Sequence, residues 1–260
     1  MSATQVHATA LVHTGAQLGA GVQVGAYSII GEHVEVGDGT WVGPHVVIEG
    51  HTRLGRENRI FQFASVGAPP QDKKYAGEPT RVEIGDRNTL REGVTVNRGT
   101  AEDVGVTRIG DDNWLMGNVH IAHDCQVGSN VIMANNAGLA GHVEVGDWVI
   151  LGGATSAHQF VRIGAHSFTS MGAYLAQDLP PYVMAAGNMA KPFGINSEGL
   201  RRRGFSADSI ARVKRAYRTL YRAGLKFEDA KRELAAQAED SPEVRALLEF
   251  VEQSKRGIIR

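Results

Sequence analysis

An aliphatic residue recurs at every sixth position from Val6: Val12, Leu18, Val24, Ile30, Val36, Val42, Ile48, Leu54, Ile60 and Val66 follow without a break. The register resumes at Ile84, Leu90 and Val96, and again from Ile109 through Leu115, Ile121, Val127, Met133, Leu139, Val145, Leu151, Ala157 and Ile163. Residues 67–83 and 97–108 interrupt it and read as loops. A period of six is neither that of a strand nor that of a helix. It demands a short extended segment and then a turn, repeated. Three such edges close a triangular coil, and stacked coils pair as parallel strands ~4.8 Å apart, with the aliphatics in rows inside. Glycine follows the aliphatic at Gly19, Gly25, Gly31, Gly37, Gly43, Gly55 and Gly67. It makes up 32 of 260 residues, about 12% against a usual ~7%. The expectation is that these glycines serve turns with unusual dihedrals. Small or β-branched residues four positions after the aliphatic, among them Val22, Ser28, Thr40 and Ala64, also turn inward.

The fold class expected is therefore mostly β: a parallel β-helix over 1–190, followed by an α-helical domain over 191–260. Pro180-Pro181 marks the exit from the coil, and 182–197 reads as an extended linker. Ser206 suits an N-cap, with Ile210, Val213, Tyr217 and Leu220 at helical spacing before Gly224. A second helix is expected over 228–238. Ser241-Pro242 opens a third, to about 254.

The net charge of −1 hides an asymmetry. Residues 1–190 hold 11 Lys+Arg and 18 Asp+Glu, a net of −7; residues 191–260 hold 16 and 10, a net of +6. The positive third suits an acidic partner or a phosphate group and is too dilute for nucleic acid. The single cysteine, Cys125, excludes an internal disulfide and any multi-cysteine metal site. It falls at a small inward position and reads as a buried structural thiol. No run of ~18 apolar residues exists to span a membrane. The start of the chain lacks the pattern of a signal peptide, so a cytoplasmic protein is expected.

Residues 18 apart in the repeat lie one strand spacing apart. Asp124 stacks on His142, and His123 on Gly141; His120 precedes His123 by three. His158 and Gln159 fall one coil further, near Ala140 and Gly141. The patch suits general-base catalysis: a histidine takes a proton from a hydroxyl, a carboxylate orients it, and a glycine N–H meets an oxyanion. Two other readings stand beside it. The histidines are solvated residues on a polar face, or three of them in adjacent coils bind zinc as in the hexapeptide-repeat carbonic anhydrases. In the loop at 67–83, Gln71, Asp72 and Lys74 read either as solvated charge or as a flap over a polar ligand. Arg201-Arg202-Arg203 reads as a solvated basic face or as a site for phosphate or an acidic protein.

Several stretches are more specific: Lys74-Tyr75-Ala76-Gly77-Glu78-Pro79-Thr80-Arg81, His120-Ile121-Ala122-His123-Asp124-Cys125, Ala140-Gly141-His142, His158-Gln159-Phe160, and Asn196 through Phe205. With them the whole chain resembles the bacterial acyl-[acyl-carrier-protein]–UDP-N-acetylglucosamine O-acyltransferases, hexapeptide-repeat enzymes that open lipid A biosynthesis. The resemblance implies a left-handed coil, against the usual crossover rule, and a homotrimer whose cleft lies between subunits. It implies that His123 is the general base, Asp124 its orienting partner and the Gly141 N–H the oxyanion donor. Gln71, Asp72 and Lys74 would meet the sugar, with His120 and His142 lining the pocket. His158 and Gln159 would lie along the nucleotide or acyl channel, and Asn196, Glu198 and Arg202 at the uridine and phosphates. No metal or dissociable cofactor is implied, because the phosphopantetheine arrives on the acyl carrier protein. The related N-acyltransferases carry an additional N-terminal domain, for which hexads beginning at Val6 leave no room.

Two positions depart from the pattern of these relatives. Asn97 stands where many have histidine. Met171 stands where some have glycine, stacked beside Gly153 and Asn135, so the expected acyl chain is short, about ten carbons rather than about fourteen, on the volume each methylene occupies.

Overall fold

The computed structural model describes residues 3–260. Short strands of mostly two residues lie in three sheets of 11, 9 and 8 strands. The first coil runs Gln5–Val6, Leu11–Val12, Gln17–Leu18, one strand to each sheet, and the next begins at Gln23–Val24. Pairing is parallel with an offset of 18, as in Val6↔Val24 and Val12↔Ile30. The offset grows to 30 across His51↔Arg81 and to 25 across Thr95↔His120, yet the strands still align. The extra residues leave the coil as two loops, 69–80 and 98–105, shorter than the gaps in the repeat because strands Ser65–Ala68, Arg81–Ile84, Thr95–Asn97 and Val106–Ile109 extend into them.

Inside the prism the aliphatics form one row per sheet. Ile60, Leu90, Leu115 and Met133 belong to the first sheet, Ile48, Val66, Val96 and Ile121 to the second, and all are fully buried. The small positions are buried too, Cys125 among them, and burial pushes its thiol up to about 12. The repeat did not reveal a polar ladder in this interior. The buried side-chain oxygens of Asn58, Asn88 and Asn113 accept in turn from the N–H groups of Asn88, Asn113 and Val131. Each carboxamide thereby satisfies a backbone donor of the next coil.

Of the glycines that follow the aliphatic, Gly67 has the expected unusual dihedral, with φ +84°, but others are explained differently. Gly25, Gly37 and Gly55 do not adopt positive φ; a Cβ on Gly37 would lie 2.5 Å from the backbone of Gly55 in the next coil. They are needed for close approach. The left-handed conformation falls three residues past the aliphatic, at Tyr27, His45, Phe63, Asp124, His142, Phe160 and His166. Side chains there stack up the edges, as in Tyr27–His45 at 5.2 Å and His142–Phe160 at 4.3 Å between ring centroids. Such contacts offset part of the ~1–2 kcal/mol that each left-handed residue costs.

Residues 182–197 are not a linker. Val183–Ala186 joins the first sheet in parallel and forms an antiparallel hairpin with Lys191–Ile195. A boundary at 190 would cut this hairpin, and the helices begin only at Ser197. They are α1 (Ser197–Arg202), α2 (Ala207–Tyr221), α3 (Phe227–Ala238) and α4 (Pro242–Glu252). Asn196, Ser206 and Ser241 cap α1, α2 and α4 with their side chains. Asp178 locks the end of the chain to the coil. Its carboxylate accepts from the Arg162 N–H and the Ser254 hydroxyl, and its backbone bonds Gly257 and Ile259.

At the edge between the third and first sheets, His166 stacks between Trp148 and Tyr182 and meets Phe205 edge-on. Burial, and then the Arg203 guanidinium, push its pKa down to about 4.

Two outcomes follow from this packing. Gly37→Ala lowers stability by about 1–3 kcal/mol through overpacking, whereas Gly138→Ala, with no atom within 4 Å of the new Cβ, stays within ~0.5 kcal/mol; denaturant titration measures both. Because the folded pKa of His166 lies below the ordinary value of 6.5, the unfolded chain binds the extra proton between these two values. Stability is full above that window and falls as pH drops through it. The loss in denaturant midpoint between about pH 7 and pH 4.5 is smaller in His166→Phe.

Candidate active site

The edge between the second and third sheets carries the histidine patch. Each coil passes from strands such as His120–Ile121 to strands such as Gln126–Val127, and the turn between them presents His123 and Asp124. One coil on, Gly141 and His142 occupy the same turn, tied by the His142 N–H to the His123 carbonyl at 3.0 Å. Phe160 follows, its N–H on the Gly141 carbonyl. The stacking inferred from 18-residue spacing is present.

Asp124 is buried, and its carboxylate is closely held. The Thr100 N–H and hydroxyl and the Gly105 N–H all donate to it, at 2.7–3.1 Å. His123 Nδ1 lies 2.9 Å from the same group. Burial works to raise Asp124, but the bonds from His123 and Thr100 prevail and hold its pKa below the ordinary carboxylate value. An ionised carboxylate only accepts, so Nδ1 carries the ring proton of His123 and Nε2 keeps a free lone pair. That ring lies against Gly141: a Cβ there would sit 2.5 Å from Cε1 and 2.6 Å from Nε2. Only glycine leaves room for the ring.

His142 meets the His123 ring edge-on at 4.9 Å, and its Nδ1 lies 2.5 Å from Asp103 in the 98–105 loop. His120 Nδ1 pairs with the Thr95 hydroxyl at 2.7 Å; burial, and then His123, lower its pKa and favour the neutral ring. His158 bonds the Gln159 carbonyl through Nδ1. In the 69–80 loop Asp72 accepts the Lys74 N–H, and the exposed Lys74 ammonium pairs with Glu102 at 3.0 Å, joining the two loops. Gln71 is exposed beside them. Asn97 is buried and its carboxamide oxygen has no partner.

The other expected residues lie elsewhere in the chain. Met171 stands on the edge between the first and second sheets, stacked over Gly153 and 81% exposed. Asn196 is at the edge between the third and first sheets. Its side chain is committed to the His166 carbonyl and the Gly199 N–H. Glu198 pairs with Arg201 and Arg202. The three edges thus carry three separate groups of residues.

His123, Asp124 and His142 offer atoms within 4.8 Å of one another, which invites the metal reading. The donor set does not fit zinc. The Asp124 oxygens are filled by N–H and O–H donors, and both histidines turn Nδ1 to a carboxylate, so no third free ligand faces a shared point. A groove of 740 Å³ over the outer face of the third sheet beneath Phe250 contains none of these residues.

Asp103 and Thr100 were missing from the sequence reading, and Phe160 entered it only within the His158-Gln159-Phe160 stretch, with no role of its own. Phe160 lies 18 beyond His142, so the repeat could have found it. Thr100 and Asp103 lie in a loop outside the repeat and carry no such signal.

A family model described as UDP N-acetylglucosamine O-acyltransferase, domain 2, matches residues 178–259, and one for bacterial transferase hexapeptide repeats matches 107–141. An acyl-[acyl-carrier-protein]–UDP-N-acetylglucosamine O-acyltransferase of Burkholderia lata is 58% identical over 99% of this chain and 100% of its own. One from a Janthinobacterium species is 64% identical over 78% of this chain and 79% of its own. The crystal structure of UDP-N-acetylglucosamine O-acyltransferase from Moraxella catarrhalis superposes with a TM-score of 0.95 at 45% identity, covering 98% of this chain and 99% of that one. The crystal structure of UDP-N-acetylglucosamine acyltransferase from Francisella novicida gives 0.97 at 39% identity, covering 98% and 94%. The hexad prism is therefore a left-handed β-helix, and the chain is an enzyme of the acyl-[acyl-carrier-protein]–UDP-N-acetylglucosamine O-acyltransferase family.

Proposed function

We propose that this enzyme moves a 3-hydroxyacyl group from acyl carrier protein to the glucosamine 3-hydroxyl of UDP-N-acetylglucosamine, with His123 as general base and without a metal or dissociable cofactor. The observation that carries the reading is the His123 ring, held through Nδ1 by Asp124 with Nε2 over Gly141. Nε2 takes the proton of the sugar hydroxyl, whose oxygen attacks the thioester carbonyl. The Gly141 N–H, which makes no hydrogen bond among the described residues, donates to the oxyanion. Collapse breaks the carbon–sulfur bond, and the thiolate of the carrier's phosphopantetheine leaves with the proton from Nε2–H. Asp124 stays ionised throughout and fixes the tautomer.

A groove of 640 Å³ runs from His142 and Phe160 past Arg162 to Lys255 and Arg256. It offers the phosphopantetheine arm a route from the basic C-terminal region, where an acidic carrier docks. Gln71, Asp72 and Lys74 meet the sugar, His120 and His142 line the pocket, and His158 and Gln159 flank the channel. The rest of the site comes from a second copy of the chain. Asn196, Glu198 and Arg202, for the uridine and phosphates, lie on a different edge from His123, as does Met171. A homotrimer brings unlike edges together. Its packing faces are the first two sheets, whose outward positions include Trp114, Ile132 and Ile150 in the first and Ser65, Thr95, Gly138 and Ser156 in the second. The third presents ion pairs such as Arg108–Glu83 and Arg162–Glu144 and stays in water. This reading places the enzyme in the cytoplasm. Met171, standing over Gly153, shortens the acyl channel to about ten carbons by volume.

The test is turnover of UDP-N-acetylglucosamine with 3-hydroxyacyl carrier proteins of graded length, read by mass. One hydroxyacyl group is gained with or without chelator, and His123→Ala lowers kcat by about 10²–10⁴-fold, the range for a lost general base. Zinc-dependent turnover, or full activity in His123→Ala, overturns the mechanism. In the same assay Met171→Gly moves the preference to longer chains; an unmoved preference removes Met171 as the ruler.

A further inference from the structure

The 98–105 loop bulges from the coil directly over the histidine pair, and its residues reach three parts of the site. Thr100 and Gly105 clamp Asp124 from both ends of the loop. Glu102 takes Lys74 of the other loop, and Asp103 takes His142. The last contact bears on the base. His142 Nδ1 lies 2.5 Å from Asp103 but also 4.0 Å from the Asp124 oxygen that holds His123. A small rotation of the His142 ring would bring it within hydrogen-bond reach of Asp124. Two histidines would then contend for one carboxylate whose other positions are already filled. Asp103 supplies the second acceptor, and Phe160, stacked parallel on His142 at 4.3 Å, keeps the ring in the plane that reaches it.

We propose that Asp103 is a positioning residue which draws His142 away from Asp124 and so reserves that carboxylate for His123. The proposal rests on His123 being the general base. The chain carries two carboxylate–histidine pairs side by side, and the exposed one keeps the buried one free of competition. Asp103 acts through His142 and touches no reacting atom. Its removal therefore bears on the chemical step and leaves binding of the sugar nucleotide nearly unchanged.

A double-mutant cycle on the full-length enzyme tests this. Asp103→Ala lowers kcat by about tenfold, a usual size for residues sharing one hydrogen-bond network, while KM for UDP-N-acetylglucosamine stays within about twofold. Asp103→Asn retains activity, because its carboxamide oxygen still accepts from Nδ1–H. In a His142→Phe background, where the ring stacks on Phe160 but cannot bond Asp124, Asp103→Ala has no further effect. An unchanged kcat in Asp103→Ala, an equal loss in the His142→Phe background, or a loss confined to KM overturns the proposal. Failure of the underlying reading looks different: the unaltered enzyme, or its His123→Ala variant, then departs from the turnover expected of a histidine base.

Discussion

The ladder of backbone hydrogen bonds between coils is the constraint on which the rest depends. The N–H of Gly25 reaches the Val42 carbonyl at 2.8 Å, that of Ile29 reaches Val46, and the pattern repeats along the prism. A parallel ladder tolerates no slip where one face is buried, because a shift by one residue turns every aliphatic outward. Any residue is therefore stacked on the one a full coil away. This places His123 on Gly141 and Asp124 beneath His142, and it holds them as firmly as the core is held. Insertions are absorbed only as loops, and the two loops in this chain leave the coil beside the site.

The corners of the coil are where strain and chemistry meet. Each turn needs a left-handed residue, and at this edge Asp124, His142 and Phe160 occupy those positions. A side chain in that conformation projects from the edge and stacks on its equivalents above and below. The geometry that the coil requires for its own closure thus aims a carboxylate, an imidazole and a phenyl ring along one line. Asp124 remains ionised in a buried place because three groups of the loop and His123 donate to it. Burial of a charge is tolerated only when its hydrogen-bonding capacity is filled.

Much of this was legible in residue spacing. The hexad aliphatics marked the inward rows, and the 18-residue offset paired His123 with Gly141 and Asp124 with His142. The caps Ser206 and Ser241 located two helices within a residue or two. Other features were not legible for identifiable reasons. The hairpin Val183–Ala186 with Lys191–Ile195 has no hexad period because it closes the end of the prism, where there is no further coil to match. The hexad glycines signal a tight place without saying whether dihedral or distance demands it, and the next coil's backbone supplied the answer. Asp103 and Thr100 belong to a loop whose path is set by what it covers.

The sequence alone determined the coil, its period, its inward rows and the stacking of the histidine patch, because a repeat makes neighbours in space predictable from neighbours in number. Tertiary structure alone decided which partner each side chain takes. It gave Nδ1 of His123 to Asp124 and Nδ1 of His142 to Asp103. It also turned the Asn196 side chain to the His166 carbonyl and the Gly199 N–H. Those choices depend on loops and on the return of the helices to the coil, where contacts join residues with no fixed interval between them.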